Sequence, residues 1–170
     1  MKEIYLAGGC YWGVQKYCDS IRGVHETEVG FANGFVPAPS YEQVKHSQTG
    51  HAETVRVCYD ETVLPLDCLL RLFFRMIDPT ELDRQGNDVG HQYRTGVYWR
   101  DAEDEATVRA ELAKLAEGCS APVVVEAQML RCFYPAEDEH QKYLDQHPQG
   151  YCHVPLAMIT WVKGIDPRAY

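Results

Sequence analysis

The hydrophobic period of this chain changes at a pair of glycines. Glu3–Ala7 reads as a short strand, and Gly8-Gly9 permits a tight turn. From Cys10 the spacing is helical, with Val14, Tyr17, Cys18 and Ile21 on one face and Gly23 closing the helix. The alternation then repeats. His25–Ala32 and Glu53–Tyr59 read as strands joined by a long Gly/Pro-containing loop, and Pro65 opens a helix running to about Ile77. Residues 78–92 form a polar loop, Tyr93–Trp99 a strand, Asp101–Gly118 an amphipathic helix and Val123–Met129 a strand. Glu137–Gln146 reads as a last helix, followed by a tail without a clear signature. This order predicts an α+β fold, a two-layer sandwich on a split βαβ core. No repeat or linker interrupts it, so residues 1–170 read as a single domain.

Charge and cysteine usage remove several function classes. A net charge of -9 repels nucleic acid and anionic membranes, and no basic cluster offsets it. The opening residues lack a signal-peptide core, and the apolar run Leu69–Ile77 is short and interrupted by arginines, so the expected location is cytoplasmic. The seven cysteines are odd in number, irregularly spaced and without a CxxC pair, which disfavours both a secreted disulfide framework and a zinc site. Free thiols are expected, with no metal and no resident cofactor.

Each thiol is then judged by its surroundings. Cys10 follows the double glycine at the start of a helix, where unpaired backbone N–H groups and the macrodipole lower a thiol's pKa. The competing role is a small core hydrophobe at the strand end. Cys18 lies two turns on, roughly 12 Å away at 1.5 Å per residue, too far for a disulfide within the helix. It reads as core. In "GHAETVRV", Glu53 begins the more apolar face of its strand, where poor solvation raises a carboxyl's pKa and leaves it a proton donor. A strand-end Glu reaching solvent is the commoner outcome. Tyr41, Tyr93 and Tyr143 add hydroxyls, though most of the eleven tyrosines must serve packing. His51 and His91 lie in polar loops that suit acid–base work or plain exposure.

Four segments, "GGCYWG", "YEQVKHSQTGHAETV", "DPTELDRQGNDVGHQYRTGVYW" and "DEHQKYLDQHPQGYC", together resemble the A-type peptide-methionine sulfoxide reductases over residues 4–152. The resemblance implies a ferredoxin-like sandwich. It places the catalytic thiolate at Cys10, the acid at Glu53, and hydroxyls holding the sulfoxide oxygen at Tyr41 and Tyr93. It also implies that Tyr11, Trp12 and Tyr143 wall the S-methyl pocket, that Asp88 contacts substrate backbone, and that Cys152 is a recycling cysteine. Thiol-dependent reduction of methionine S-sulfoxide would pass through a Cys10 sulfenic acid and a Cys10–Cys152 disulfide, with thioredoxin or a similar dithiol as reductant and the protein acting as a monomer. Position 11 is tyrosine where phenylalanine is usual, and no cysteine follows Cys152. Resolution is therefore expected in one step, with Cys18, Cys58 or Cys132 as substitutes if the tail docks otherwise. Two rivals are a thiol hydrolase using Cys10, His51 and Asp88, and a non-enzymatic binder of oxidised peptides caged by Trp12 and the tyrosines.

Overall fold

In the computed structural model, which describes residues 1–170, β1 (Lys2–Gly8) runs through the middle of the sheet. Helix α1 (Tyr11–Asp19) leads to β2 (Val24–Ala32), helix α2 (Tyr41–His46) to β3 (Ala52–Tyr59), and α3 (Leu66–Phe74) carries the chain onward. A small hairpin, β4 (Arg84–Gln85) and β5 (Asp88–Val89), precedes β6 (Thr95–Trp99). Then come α4 (Asp104–Glu117), β7 (Glu126–Met129), β8 (Phe133–Pro135), α5 (Tyr143–Gln146) and α6 (Leu156–Lys163). The six-stranded sheet is ordered β7-β6-β1-β3-β2-β8, antiparallel except for β6 and β7. Strand β3 sits between β1 and β2, and β1 sits between β3 and β6. The four inner strands therefore form two interleaved split βαβ units, the ferredoxin-like arrangement.

Alternation along the strands sorts the side chains. Ile4, Leu6, Val29, Phe31, Val55, Val57, Val97 and Trp99 face the helices and join Val14, Tyr17, Leu69, Leu72 and Phe73 in one buried cluster. Each such side chain, fully buried, contributes roughly 1.5–3 kcal/mol. The opposite face holds a smaller cluster of Tyr5, Ala7, Ala32, Ala52 and Tyr98, covered by Leu130 and Phe133.

The structure departs from the sequence reading in five places, the first being β8, an unexpected edge strand paired with β2. The long β2–β3 loop contains α2, fixed by a capping box in which the Ser40 side chain accepts from Gln43 N–H and the Gln43 side chain accepts from Ser40 N–H. The polar loop contains the β4–β5 hairpin. The expected helix over 137–146 is broken: a 3-10 turn at Asp138–His140 gives way at Lys142, which has φ 52, before α5. Gln141 causes this break, because its amide exchanges hydrogen bonds with the Val29 backbone at 2.9 Å each way. The tail is ordered as α6, with Ile159 and Val162 buried and Trp161 under the Arg75 guanidinium.

Candidate active site

The β1–α1 junction positions the thiol. Gly9 has φ 91, a conformation that favours glycine, and a Cβ there would lie 2.9 Å from the Gln85 side chain. Cys10 follows as the N-cap residue of α1. The sulfur is nearly buried, with the residue only 8% exposed.

From β3, Glu53 reaches the first residue of α1. Glu53 is 2% exposed, and its Oε1 accepts the Tyr11 backbone N–H at 3.1 Å. This settles the strand-end alternative against solvent. Burial pushes the carboxyl up to about 8; the Asp88 charge adds to this, while the Tyr11 N–H and the Lys45 ammonium oppose it. Glu53 is therefore a protonated acid at neutral pH.

The expectation of a low-pKa thiol is overturned. Burial holds Cys10 well above an ordinary cysteine, and the Glu53 and Asp88 charges push the same way. The Trp12 and Gly13 backbone N–H groups pull it down, but not by enough. A helix N-terminus lowers a thiol's pKa when water can also reach the sulfur; here desolvation dominates.

The tyrosines divide by position. Tyr41, at the first turn of α2, is half-buried and pushed up to about 12 by burial and by Glu53. Tyr93, on the 3-10 turn before β6, is raised by the same two causes. Both hydroxyls stay protonated donors. Tyr11 is fully buried, tilted against Phe31 with ring centroids 5.7 Å apart and stacked towards Tyr41 at 6.4 Å. Its hydroxyl is buried with no hydrogen-bond partner. Trp12 and Tyr143 stack on each other at 3.8 Å with an interplanar angle of 10°. No slot separates them, so Tyr143 braces the outer face of Trp12 rather than forming an opposing wall. A cleft of about 320 Å³, bordered by Tyr41, His140, Tyr143 and His147, opens beside this aromatic group.

Sequence reasoning passed over three neighbours. His140 stacks on Tyr41 at 4.3 Å and lies parallel to Trp12 at 6.0 Å. Tyr151 donates its hydroxyl to the Asp88 carboxylate at 2.8 Å, tying the segment before Cys152 to the β4–β5 hairpin. His153 donates from Nε2 to the Gly8 carbonyl at 2.8 Å. No residue-level signal singled out Tyr151 among eleven tyrosines; adjacency to Cys152 was the available clue for Tyr151 and His153.

The remaining thiols and histidines are placed as follows. Cys152 is a half-buried free thiol whose S–H points to the Val154 carbonyl at 3.3 Å. Cys18 is fully buried in the core, which removes it as a substitute. Cys58 lies in β3 opposite Glu3 and Glu26, and Cys132 rests near the Gly34 carbonyl at 3.6 Å. His51 is buried, its Nδ1 accepting from Gly34 N–H at 3.0 Å and its Nε2 donating to Val36 O at 2.7 Å. Both nitrogens are occupied, so His51 cannot serve as the base of a hydrolase. His91 is exposed and pairs with Asp83 at 2.9 Å. No group of three or more His, Cys, Asp or Glu side chains is disposed to hold a metal ion, and no helix is long and apolar enough to cross a membrane.

A cysteine at the head of the first helix of a ferredoxin-like sheet, with a buried acid bonded to the backbone N–H of the next residue, has the features of a thiol-dependent enzyme. A family model described as peptide methionine sulfoxide reductase matches residues 2–163. The peptide methionine sulfoxide reductase MsrA of Lachnoclostridium phytofermentans is 50% identical over 153 residues, covering 90% of this chain and 92% of that protein. The MsrA of Alkaliphilus metalliredigens is 51% identical over 156 residues, covering 92% and 99%. Among solved structures, reduced Mxr1 from Saccharomyces cerevisiae superposes with a TM-score of 0.86 at 33% identity, covering 91% of each chain. Mxr1 in complex with Trx2 shares the fold at a TM-score of 0.59 and 22% identity, covering 84% of each chain. The chain belongs to the A-type peptide methionine sulfoxide reductase family, and its enzyme class is that of the family.

Proposed function

We propose that this enzyme reduces methionine S-sulfoxide, free or within proteins, through Cys10, and is regenerated through Cys152 by a thioredoxin-type dithiol. The observation that carries the reading is the pairing of a nearly buried thiol with a buried carboxyl that keeps its proton to about 8.

In the first half-reaction the Cys10 sulfur attacks the sulfoxide sulfur. The sulfoxide oxygen grows basic as its bond to sulfur weakens, and it takes a proton from Glu53 while Tyr41 and Tyr93 donate hydrogen bonds to it. The sulfur–sulfur bond and the bond from methionine sulfur to oxygen then break as the hydroxyl couples to Cys10, leaving a Cys10 sulfenic acid and a methionine sulfur that keeps the electron pair and departs. The thiol proton of Cys10 returns to Glu53, so the acid is unchanged over the step. In the second half-reaction the Cys152 thiol condenses with the sulfenic acid, forming the Cys10–Cys152 disulfide and releasing water. Thiol–disulfide exchange with an external dithiol reopens it.

Trp12, braced by Tyr143, offers an aromatic surface to the soft S-methyl group. Asp88, already an acceptor for Tyr151, takes in this reading the role of acceptor for a substrate backbone N–H. The Mxr1–Trx2 complex supports a thioredoxin-like partner, and a thiol cycle of this kind suits a reducing cytoplasm. Repair of oxidised proteins follows as the cellular role.

Incubating the reduced enzyme with methionine sulfoxide and no reductant tests the reading. Methionine should be released in a single turnover, and mass spectrometry should find Cys10 joined to Cys152. Absence of methionine would reject it.

A further inference from the structure

His153 occupies a niche that only glycines leave open. Its Nε2–H is bonded to the Gly8 carbonyl. A Cβ at Gly9 would come within 3.1 Å of His153 Nε2, and one at Gly13 within 2.8 Å of Nδ1 and 3.0 Å of Cε1. Gly8, Gly9 and Gly13 bracket Cys10 in sequence, so the imidazole lies on the turn that carries the reactive sulfur. Nδ1 is buried without a partner, and burial lowers the ring's pKa, so the histidine sits neutral with its bonded hydrogen on Nε2. Val154 follows, 2% exposed, with Cγ2 beside Gly13. On the other side of Cys152, Tyr151 is tied to Asp88.

We infer that His153 is a positioning residue for resolution: its imidazole pins the Cys152 segment to the β1–α1 turn and so sets the effective concentration of Cys152 against oxidised Cys10. The inference rests on the proposed Cys10–Cys152 cycle. Disulfide formation needs Cα atoms within about 7 Å. A segment anchored to the same turn as Cys10 has far less space to search than a free tail. The anchor belongs to the second half-reaction alone, because the imidazole contacts backbone and has no part in oxygen transfer.

The test separates the two half-reactions by rapid quench with methionine sulfoxide, counting methionine released and disulfide formed. His153→Leu should release methionine at the wild-type rate and form the disulfide roughly tenfold or more slowly. His153→Gln, whose amide N–H can still reach the Gly8 carbonyl, should recover most of the lost rate. Gly13→Ala, which fills the niche and suits a helix, should slow disulfide formation with His153 still in place. A wild-type disulfide rate in His153→Leu overturns the inference, and so does equal slowing of both steps, the mark of a merely structural residue. A wild-type enzyme that releases no methionine, or that closes its disulfide without Cys152, fails the underlying cycle and the inference with it.

Discussion

Glu53→Gln should make the enzyme more stable and less active. The wild-type carboxyl holds its proton to about 8 in the folded protein, against 4.5 for an ordinary side chain. Its folded-state pKa is raised, so its contribution to stability is complete below about 4.5 and is lost as pH rises through about 8. By pH 7 the loss is on the order of 3 kcal/mol, and at pH 5 it is under about 1 kcal/mol. Glutamine cannot ionise, and its Oε1 can keep the Tyr11 N–H bond. Urea unfolding should therefore place the variant's midpoint roughly 1.5 M above wild type at pH 7, with a much smaller gap at pH 5. Activity runs the other way. At pH 7 the raised pKa leaves about nine-tenths of the acid protonated, where an ordinary carboxyl would be about 0.3% protonated. Loss of a general acid costs about 100-fold or more in the first half-reaction. The wild-type rate should be set by a protonated Glu53 up to about pH 8 and lose the acid's contribution tenfold per pH unit beyond it, whereas the variant should be slow and lack that inflection. A variant within twofold of wild-type rate, or one with an unchanged pH profile of stability, would refute the argument.

Other perturbations separate the remaining groups. Cys152→Ser should release one methionine per enzyme and then stop, which steady-state turnover with a dithiol reads directly. Tyr11→Phe removes a buried hydroxyl without a partner, so thermal unfolding should show a gain of about 1–3 kcal/mol with activity retained. His51→Ala should lower stability by about 1–3 kcal/mol through two lost hydrogen bonds, leaving the methionine-release rate per folded enzyme intact. Alkylation of Cys10 in substrate-free enzyme should have its midpoint above that of an ordinary thiol. The midpoint should fall in Glu53→Gln, where the repelling carboxylate is absent.

The core of the fold could be read because it repeats one device. Period-2 strands and helical spacing alternate from Glu3 to Trp99, and the split βαβ order follows from their sequence. Two missed elements carried local signals. Ser40 and Gln43 have capping-box spacing, and Leu156, Ile159 and Val162 between Pro155 and Gly164 have the marks of a short helix. The break at Lys142 had no such signal, since it depends on Gln141 meeting the Val29 backbone 112 residues away. At the site, strand alternation put Glu53 on the apolar face, but only the packing of α1 over β3 decides that no water reaches it. The same packing reversed the expectation for Cys10. A helix terminus is visible in sequence, whereas the solvent removed from that terminus is a property of the assembled layers.

The raised thiol and the raised acid belong to one arrangement. Burial raises both, and the Glu53 charge raises the thiol further, so the free enzyme keeps both protons at neutral pH. A neutral thiol is a poor nucleophile towards passing oxidants. In the proposed cycle, the sulfoxide changes that balance only when its oxygen accepts the Glu53 proton, because the acid is then free to take the proton from Cys10. Ionisation of the nucleophile is thereby tied to the presence of a basic oxygen on sulfur. An exposed, permanently ionised cysteine at the same helix terminus would attack without that condition. In that cycle, burial makes the thiol selective at the expense of intrinsic reactivity, and the proposed acid is as deeply buried as the sulfur.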